Sequence, residues 1–317
     1  MRKFLLLLLF PVLVFGQSIA DQANQLFDKK QYVKAEHILS SYLQEKPNDL
    51  EARELLGHAY FHQEKWDGAI NTYEKLIAVE PNNANYQFKY GGVLALKARA
   101  ISKLRALGLI NDAKEALHKS AELDPNHIEV RWALVEMYMQ LPGIVGGSKT
   151  KSLKYANELQ RISKVDGYLA KGYIYEYDDE PELAEKYYKL AIEEGGSLTC
   201  FQKLTDLYEN VDAPDKAIAN IEAAQKKHER NALHYQIGKI SAEYNIQLHK
   251  GERCLKTYIK NYTLKDGVPK AWAHYRLAQI HMHQNNKVQA LRYIDLALAE
   301  LPEIKPFKLQ KEKILNL

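Results

Sequence analysis

The sequence predicts an all-α solenoid of about eight helix–turn–helix units, closed by a C-terminal capping helix. Three observations carry that prediction. In residues 50–83, LEARELLGHAYFHQEKWDGAINTYEKLIAVEPNN, the apolar residues fall into two helical stripes. Leu55, Leu56, Ala59 and Tyr60 form the first; Ala69, Ile70, Tyr73, Leu76 and Ile77 form the second. A polar run at 64–67 turns the chain between them, and Pro81, with no N–H to donate, ends the second helix. The pattern then recurs: Ala35, Pro47 and Asn48 stand 34 residues before Ala69, Pro81 and Asn82. The Ala-to-Pro spacing of 12 returns at Ala113–Pro125 and Ala290–Pro302. A two-helix unit cannot bury its apolar face alone, so units repeated at this period stack.

Taken in order, the first unit spans about residues 18–49, with Ala23, Ala35 and Pro47 in register, and residues 50–83 are the type unit. The third begins in register at Tyr90-Gly91, but its Ala113 and Pro125 come 10 residues late. No breaker interrupts residues 93–104, so this insertion (near 97–107) predicts a first helix about three turns longer. The fourth opens with Arg131-Trp132-Ala133-Leu134 and breaks at Leu141-Pro142-Gly143, an insertion over 141–150, before a second helix over about 149–164. The fifth carries Gly172, Tyr175, Ala184 and Tyr188; the sixth Tyr208, Ala217 and Ala224. In the seventh Gly251 stands near the alanine position, and the eighth has Leu277-Ala278, Ala290, Ala297 and Pro302. The solenoid is thus expected over 17–302. In the lysine-rich tail 303–317, Phe307, Ile314 and Leu315 would cover the last unit, as a solenoid end requires.

The type unit resembles the tetratricopeptide repeat (TPR) family. Leu56, Gly57 and Tyr60 match its first-helix positions, Ala69 and Tyr73 its second, and Pro81 its close. The resemblance extends over most of the chain and implies a right-handed superhelical solenoid that binds proteins rather than catalyses. It further implies that the inner face of each first helix lines a groove. Residues 141–150 and 269–277 are similar to segments of a bacterial exported subgroup of that family, which bears on origin more than on mechanism.

Composition narrows the partners. With 44 basic and 40 acidic residues, the formal charge of +4 supports neither a nucleic-acid nor a membrane-surface function. Arg2 and Lys3 precede a 12-residue apolar run over 4–15. That run is too short to span a bilayer and fits a secretory signal peptide, expected over 1–16. Small residues permit cleavage after Gly16 or Ala20; the first is preferred, because the second removes the first turn of the first unit. No cysteine follows the run, so a lipid anchor is not expected. An exported protein, periplasmic or alternatively secreted, is the expectation. Cys200 and Cys254 fall in different units and read as small buried hydrophobes.

No constellation supports catalysis or a cofactor. Gly143-Ile-Val-Gly-Gly-Ser-Lys149-Thr150 approaches a phosphate-binding loop, but Ser148 replaces the last glycine and a helix rather than a strand precedes it. It reads as a structural loop in which Lys149 adds little to stability. His58 and His62 have metal-ligand spacing, one helical turn apart, yet no third ligand can be named, and no metal site is expected. G-x-S-x-G is absent, and neither cysteine has a catalytic context.

What remains is the inner face that the resemblance implies. Its register places Phe61, Trp132, Tyr173, Tyr177, Tyr235, Trp272 and Tyr275 there as a candidate protein-binding groove. Glu54, Glu129, Glu136, Glu176, Asp206, Glu209 and Glu243 lie among them. Aromatics suit such a face because they bury large area with few rotors. Some of them could instead pack one unit against the next. An acidic groove would favour a basic or neutral peptide or protein segment. Two other readings stay open: an adaptor of a cell-envelope assembly binding through its convex face or tail, and a small-molecule or glycan binder near the 141–150 loop.

Overall fold

The computed structural model describes residues 18–317, with the backbone alone for Lys103 and Leu104; the expected leader over 1–16 lies outside the described residues. Among the described residues there are seventeen α-helices and no strand. They divide into two compact units, residues 18–137 with 142–146, and residues 138–141 with 147–317. Unit 1 contains α1 (Ile19–Asp28), α2 (Tyr32–Glu45), α3 (Leu50–His62), α4 (Trp66–Val79), α5 (Ala84–Ala100), α6 (Lys103–Leu123) and α7 (Ile128–Gln140) up to its last turn. Unit 2 contains α8 (Lys149–Ile162), α9 (Lys164–Tyr177), α10 (Pro181–Glu194), α11 (Leu198–Asn210) and α12 (Pro214–His228). It continues through α13 (Asn231–Tyr244), α14 (Leu248–Lys260), α15 (Lys270–His283), α16 (Lys287–Glu300) and α17 (Lys305–Leu315). In chain order these are eight consecutive helix pairs and one further helix.

Local chemistry sets the ends. Asp49, Asn83, Ser148, Ser163, Ser197 and Asn286 each accept a first-turn N–H as N-caps. Pro181 and Pro214 occupy first helical positions, where a missing N–H costs nothing. The turn inside a pair places one residue in the left-handed region: Lys30, Glu64, Asp179, Asp212, Asn245 and Asn285, with φ between 55° and 58°. At the other end of a helix, Arg131 is 4% exposed and donates to the carbonyls of Ala121, Asp124 and His127. It sits where the α6 dipole favours a cation.

The pairs close by fitting a large side chain of the second helix against a glycine of the first. Gly57 faces Tyr73, Gly91 faces Leu117, Gly172 faces Tyr188 and Gly238 faces Leu255; all four partners are at most 2% exposed. The second-helix alanines Ala35, Ala69, Ala113, Ala184, Ala217 and Ala290 are wholly buried. Gly251 takes that role in α14 because Ser241 lies directly against it, and a Cβ there would come under 3.0 Å from the serine side chain. First helices of successive pairs also touch, α1 on α3, α9 on α11 and α13 on α15, so they share a face within each unit.

Four expectations are corrected. The insertion in the third pair does not lengthen the first helix by three turns. The chain breaks at Ile101, whose backbone is extended, and Ser102 stands at the N-cap position of α6. Both arms are therefore long, 17 and 21 residues, and lie against each other. A lone overlong helix would have left its extra apolar residues without a partner. Next, α8 ends at Ile162, and Ser163 closes it while capping α9. In α17, Phe307 and Ile314 are wholly buried but Leu315 is exposed. Cys254 is half-buried, whereas Cys200 is buried; both are free thiols. No described helix is long and apolar enough to cross a membrane.

Candidate interaction face

In α9, Gly172 and Ile174 are buried, while Tyr173 and Glu176 are half-buried and Tyr177 is exposed. In α11, Leu204, Leu207 and Tyr208 are buried, which leaves Lys203, Asp206, Glu209 and Asn210 outward. The two sets enclose a cavity of 480 Å³, lined by Tyr173, Glu176, Tyr177, Lys203, Asp206, Glu209 and Asn210. Tyr173 and Tyr177 have ring centroids 6.0 Å apart at 47°, and Tyr177 is 52% exposed. Glu176 is fixed from two sides: Tyr188 Oη donates to Oε2 at 2.6 Å and Asn210 Nδ2 to Oε1 at 2.9 Å. Burial first, then that hydrogen bond to the carboxylate, pushes the Tyr188 hydroxyl far above its ordinary range. Glu176 therefore serves as an acceptor that holds Tyr188.

A second cavity, of 670 Å³, lies between α11, the start of α13 and the 263–266 turn. Lys203, Arg230 and Lys265 line it and make no ion pair among the described residues. Of its carboxylates, Asp206 accepts from Gln202 Nε2 at 2.7 Å, and Asp266 accepts from Thr263 N at 2.6 Å and Asn231 Nδ2 at 3.2 Å. Lys203 and Asp206 line both cavities. Beside them Leu264, at the tip of a single 3₁₀ turn, is 90% exposed.

The carboxylates of the inner faces are mostly answered by the next first helix. Glu54 accepts from Lys89 Nζ at 2.7 Å and Asn85 Nδ2 at 2.8 Å. Glu209 lies 3.3 Å from Lys239 Nζ, and Glu243 accepts from Arg276 at 2.6 Å. Glu129 lies 3.1 Å from His127. The face is a ladder of alternating charge, not the acidic groove that counting carboxylates implies. Lys89, Asn210, Lys239 and Arg276 are the residues that reading missed. Their signal was a complementary residue 30–35 positions after each acid, the repeat length itself.

The aromatics separate into four groups. Tyr173 and Tyr177, with Glu176, come together in the 480 Å³ cavity. Tyr235 is 8% exposed and packs against Tyr258 at 5.4 Å inside unit 2. Trp272 and Tyr275 both pack on the wholly buried Phe307, at 4.9 and 5.0 Å, so they anchor α17. In unit 1, Phe61 is half-buried against Trp66; Trp132 is half-buried and Glu136 exposed on α7.

The loop resembling a phosphate cradle is knit into the fold. Lys114 Nζ donates to Val145 O at 3.0 Å, Ser148 N donates to Tyr138 O at 2.8 Å, and the Ser148 hydroxyl caps α8. Lys149 bridges Asp178 and Glu180 and lies 4.9 Å over the Tyr175 ring. Hydrogen bonds to those two carboxylates raise its pKa. It is a cross-link between helix pairs.

Comparison with known proteins agrees with this architecture. Sequence profiles of the tetratricopeptide repeat match residues 26–99 and 165–194. A curated relative, tetratricopeptide repeat protein 30 homolog of Drosophila pseudoobscura pseudoobscura, is 36% identical over 64 residues, 20% of this chain and 10% of that protein. The chain thus spans a small part of the length of that relative. Among solved structures, a tetratricopeptide repeat protein from Parabacteroides merdae aligns at TM-score 0.49 and 14% identity, covering 94% of this chain and 97% of that one. YrrB, described as a TPR protein with an unusual peptide-binding site, aligns at TM-score 0.44 and 16% identity over 62% of this chain and 98% of its own. The chain thus carries tetratricopeptide repeats matched by profile in each of the two units, over residues 26–99 and 165–194.

Proposed function

We propose that this protein is an exported, non-enzymatic scaffold that holds a peptide or protein segment against the inner helix face of unit 2. The observation that carries the reading is the pair of cavities of 480 and 670 Å³ sharing Lys203 and Asp206 along α11. Together they offer an exposed tyrosine, unpaired cations and an exposed leucine on one surface. Rigid aromatic anchors with adjustable polar neighbours are what a segment-binding surface needs. Export rests on the charged start and apolar run; cleavage after Gly16 keeps the Ser18–Asp21 capping box of α1, and cleavage after Ala20 destroys it.

The test is co-purification with a partner from an envelope extract, followed by measured affinities. Tyr177→Ala should weaken binding by about 2 kcal/mol, roughly 30-fold. Glutamine at Lys308, Lys311 and Lys313 should leave it unchanged. Loss of binding in the tail variant with retention in Tyr177→Ala would move the interaction to the tail and favour the adaptor reading.

A further inference from the structure

In unit 1 two imidazoles meet on α3. His58 and His62 lie one turn apart, with their Nε2 atoms 2.9 Å from each other. Both rings are held in place. His62 stacks on Tyr32 at 4.5 Å and 9°, and His58 meets Phe27 edge-on at 4.9 Å. The two imidazole planes stand at 62°. At this separation one Nε2 carries a proton and the other accepts it. Once that proton shifts to Nδ1 of its own ring, both Nε2 lone pairs are free to bind an ion placed beside the line that joins them.

The spacing discriminates between coordination geometries. Two nitrogens bound cis at about 2.0–2.1 Å on a square-planar or octahedral ion stand ~2.8–3.0 Å apart, against ~3.3 Å on a tetrahedral ion. The observed 2.9 Å falls in the first range. Imidazole nitrogens in tetragonal surroundings suit Cu²⁺ and Ni²⁺, with Cu²⁺ held more tightly. We propose that His58 and His62 form a two-nitrogen chelate for a divalent late transition-metal ion, Cu²⁺ before Ni²⁺, with water in the remaining positions.

The surroundings are consistent with an open site. Among the described residues no group of three or more His, Cys, Asp and Glu side chains gathers around a metal position. Glu54, one turn before His58, is already committed to Asn85 and Lys89.

The test is calorimetric titration of the untagged chain with CuCl₂ and NiCl₂, beside His58→Gln, His62→Gln and His37→Gln, the last an exposed residue of α2. The chelate requires Cu²⁺ to bind more tightly than Ni²⁺, and each variant at 58 or 62 to weaken Cu²⁺ by about tenfold or more. His37→Gln should bind as the parent does. Independently of any variant, substoichiometric Cu²⁺ should broaden the His58 and His62 ring resonances before those of other histidines. Equal affinity in all four proteins, or broadening that begins at other histidines, would leave a hydrogen-bonded imidazole pair only and overturn the site.

Discussion

Replacing Gly172 by alanine probes the packing of a pair and the candidate face together. The ring of Tyr188 is 1% exposed and lies so close that an added Cβ would come well under 3.0 Å from it. The ring must shift, and it also donates to Glu176 Oε2 at 2.6 Å. Overpacking a filled core costs about 1–3 kcal/mol. Losing a hydrogen bond to a carboxylate costs about 1.5–3 kcal/mol, while alanine in place of glycine in a helix returns about 1 kcal/mol. The net expectation is a loss of about 2–4 kcal/mol, or roughly 5–15 °C in melting midpoint. Gly92 is the matched control: it is helical, and an added Cβ would have nothing within 4 Å, so Gly92→Ala should stabilise by about 1 kcal/mol. Urea unfolding followed by circular dichroism would measure both, and hydrogen exchange should place the Gly172→Ala loss in α9 and α10. Equal stability of Gly172→Ala and the parent would refute the packing argument. So would destabilisation of both variants to the same extent.

Other outcomes follow from single features. Lys30→Gly and Glu64→Gly should each raise stability by about 0.5–1 kcal/mol in urea unfolding, because both residues hold left-handed backbone that glycine adopts without strain. The pKa of His58 is lowered from 6.5 to about 4, mainly by burial. Its folded state therefore takes up a proton later than the unfolded one, and unit 1 keeps full stability above pH 6.5 and loses it as pH falls towards 4. Between pH 7 and 5 the loss should be at most about 2 kcal/mol, and His58→Gln should flatten that slope. Lys149→Ala should lower the melting midpoint, where Lys226→Ala, which removes no ion pair, does not; titration with ATP should give only heat of dilution in both.

Much of the fold was legible because repetition multiplies a weak signal. One pair with Gly57, Ala69 and Pro81 is ambiguous; the same spacing at several sites names helix pairs, their order and their turns. What was not legible is how an insertion divides. Residues 93–104 contain neither glycine nor proline, and nothing local favours a break at Ser102. The break follows from pairing, since α5 and α6 can each bury their additional turns only against the other. A similar tertiary preference decided Tyr235, Trp272 and Tyr275. Their register puts them on first helices, but Tyr258 and Phe307 offered apolar partners, and burial of an aromatic ring is worth more than exposure of one.

The charge of the inner face was illegible for a different reason. A carboxylate on one first helix meets its partner on the next, a repeat length away: Glu54 with Lys89, Glu176 with Asn210, Glu209 with Lys239, Glu243 with Arg276. Any window as short as one helix counts the acid and omits the base. Each such pair near the surface contributes little stability, about 0–1 kcal/mol. Their consequence is selective. They cancel most of the charge that could attract a partner, and Lys203, Arg230 and Lys265 remain as cations without an ion pair, around cavities that also present Tyr177 and Leu264. On the function proposed above, discrimination between segments would fall to those few groups. A partner would be read by where it places an aromatic contact and an acceptor along α11, and the net charge of the protein says almost nothing about which partner that is.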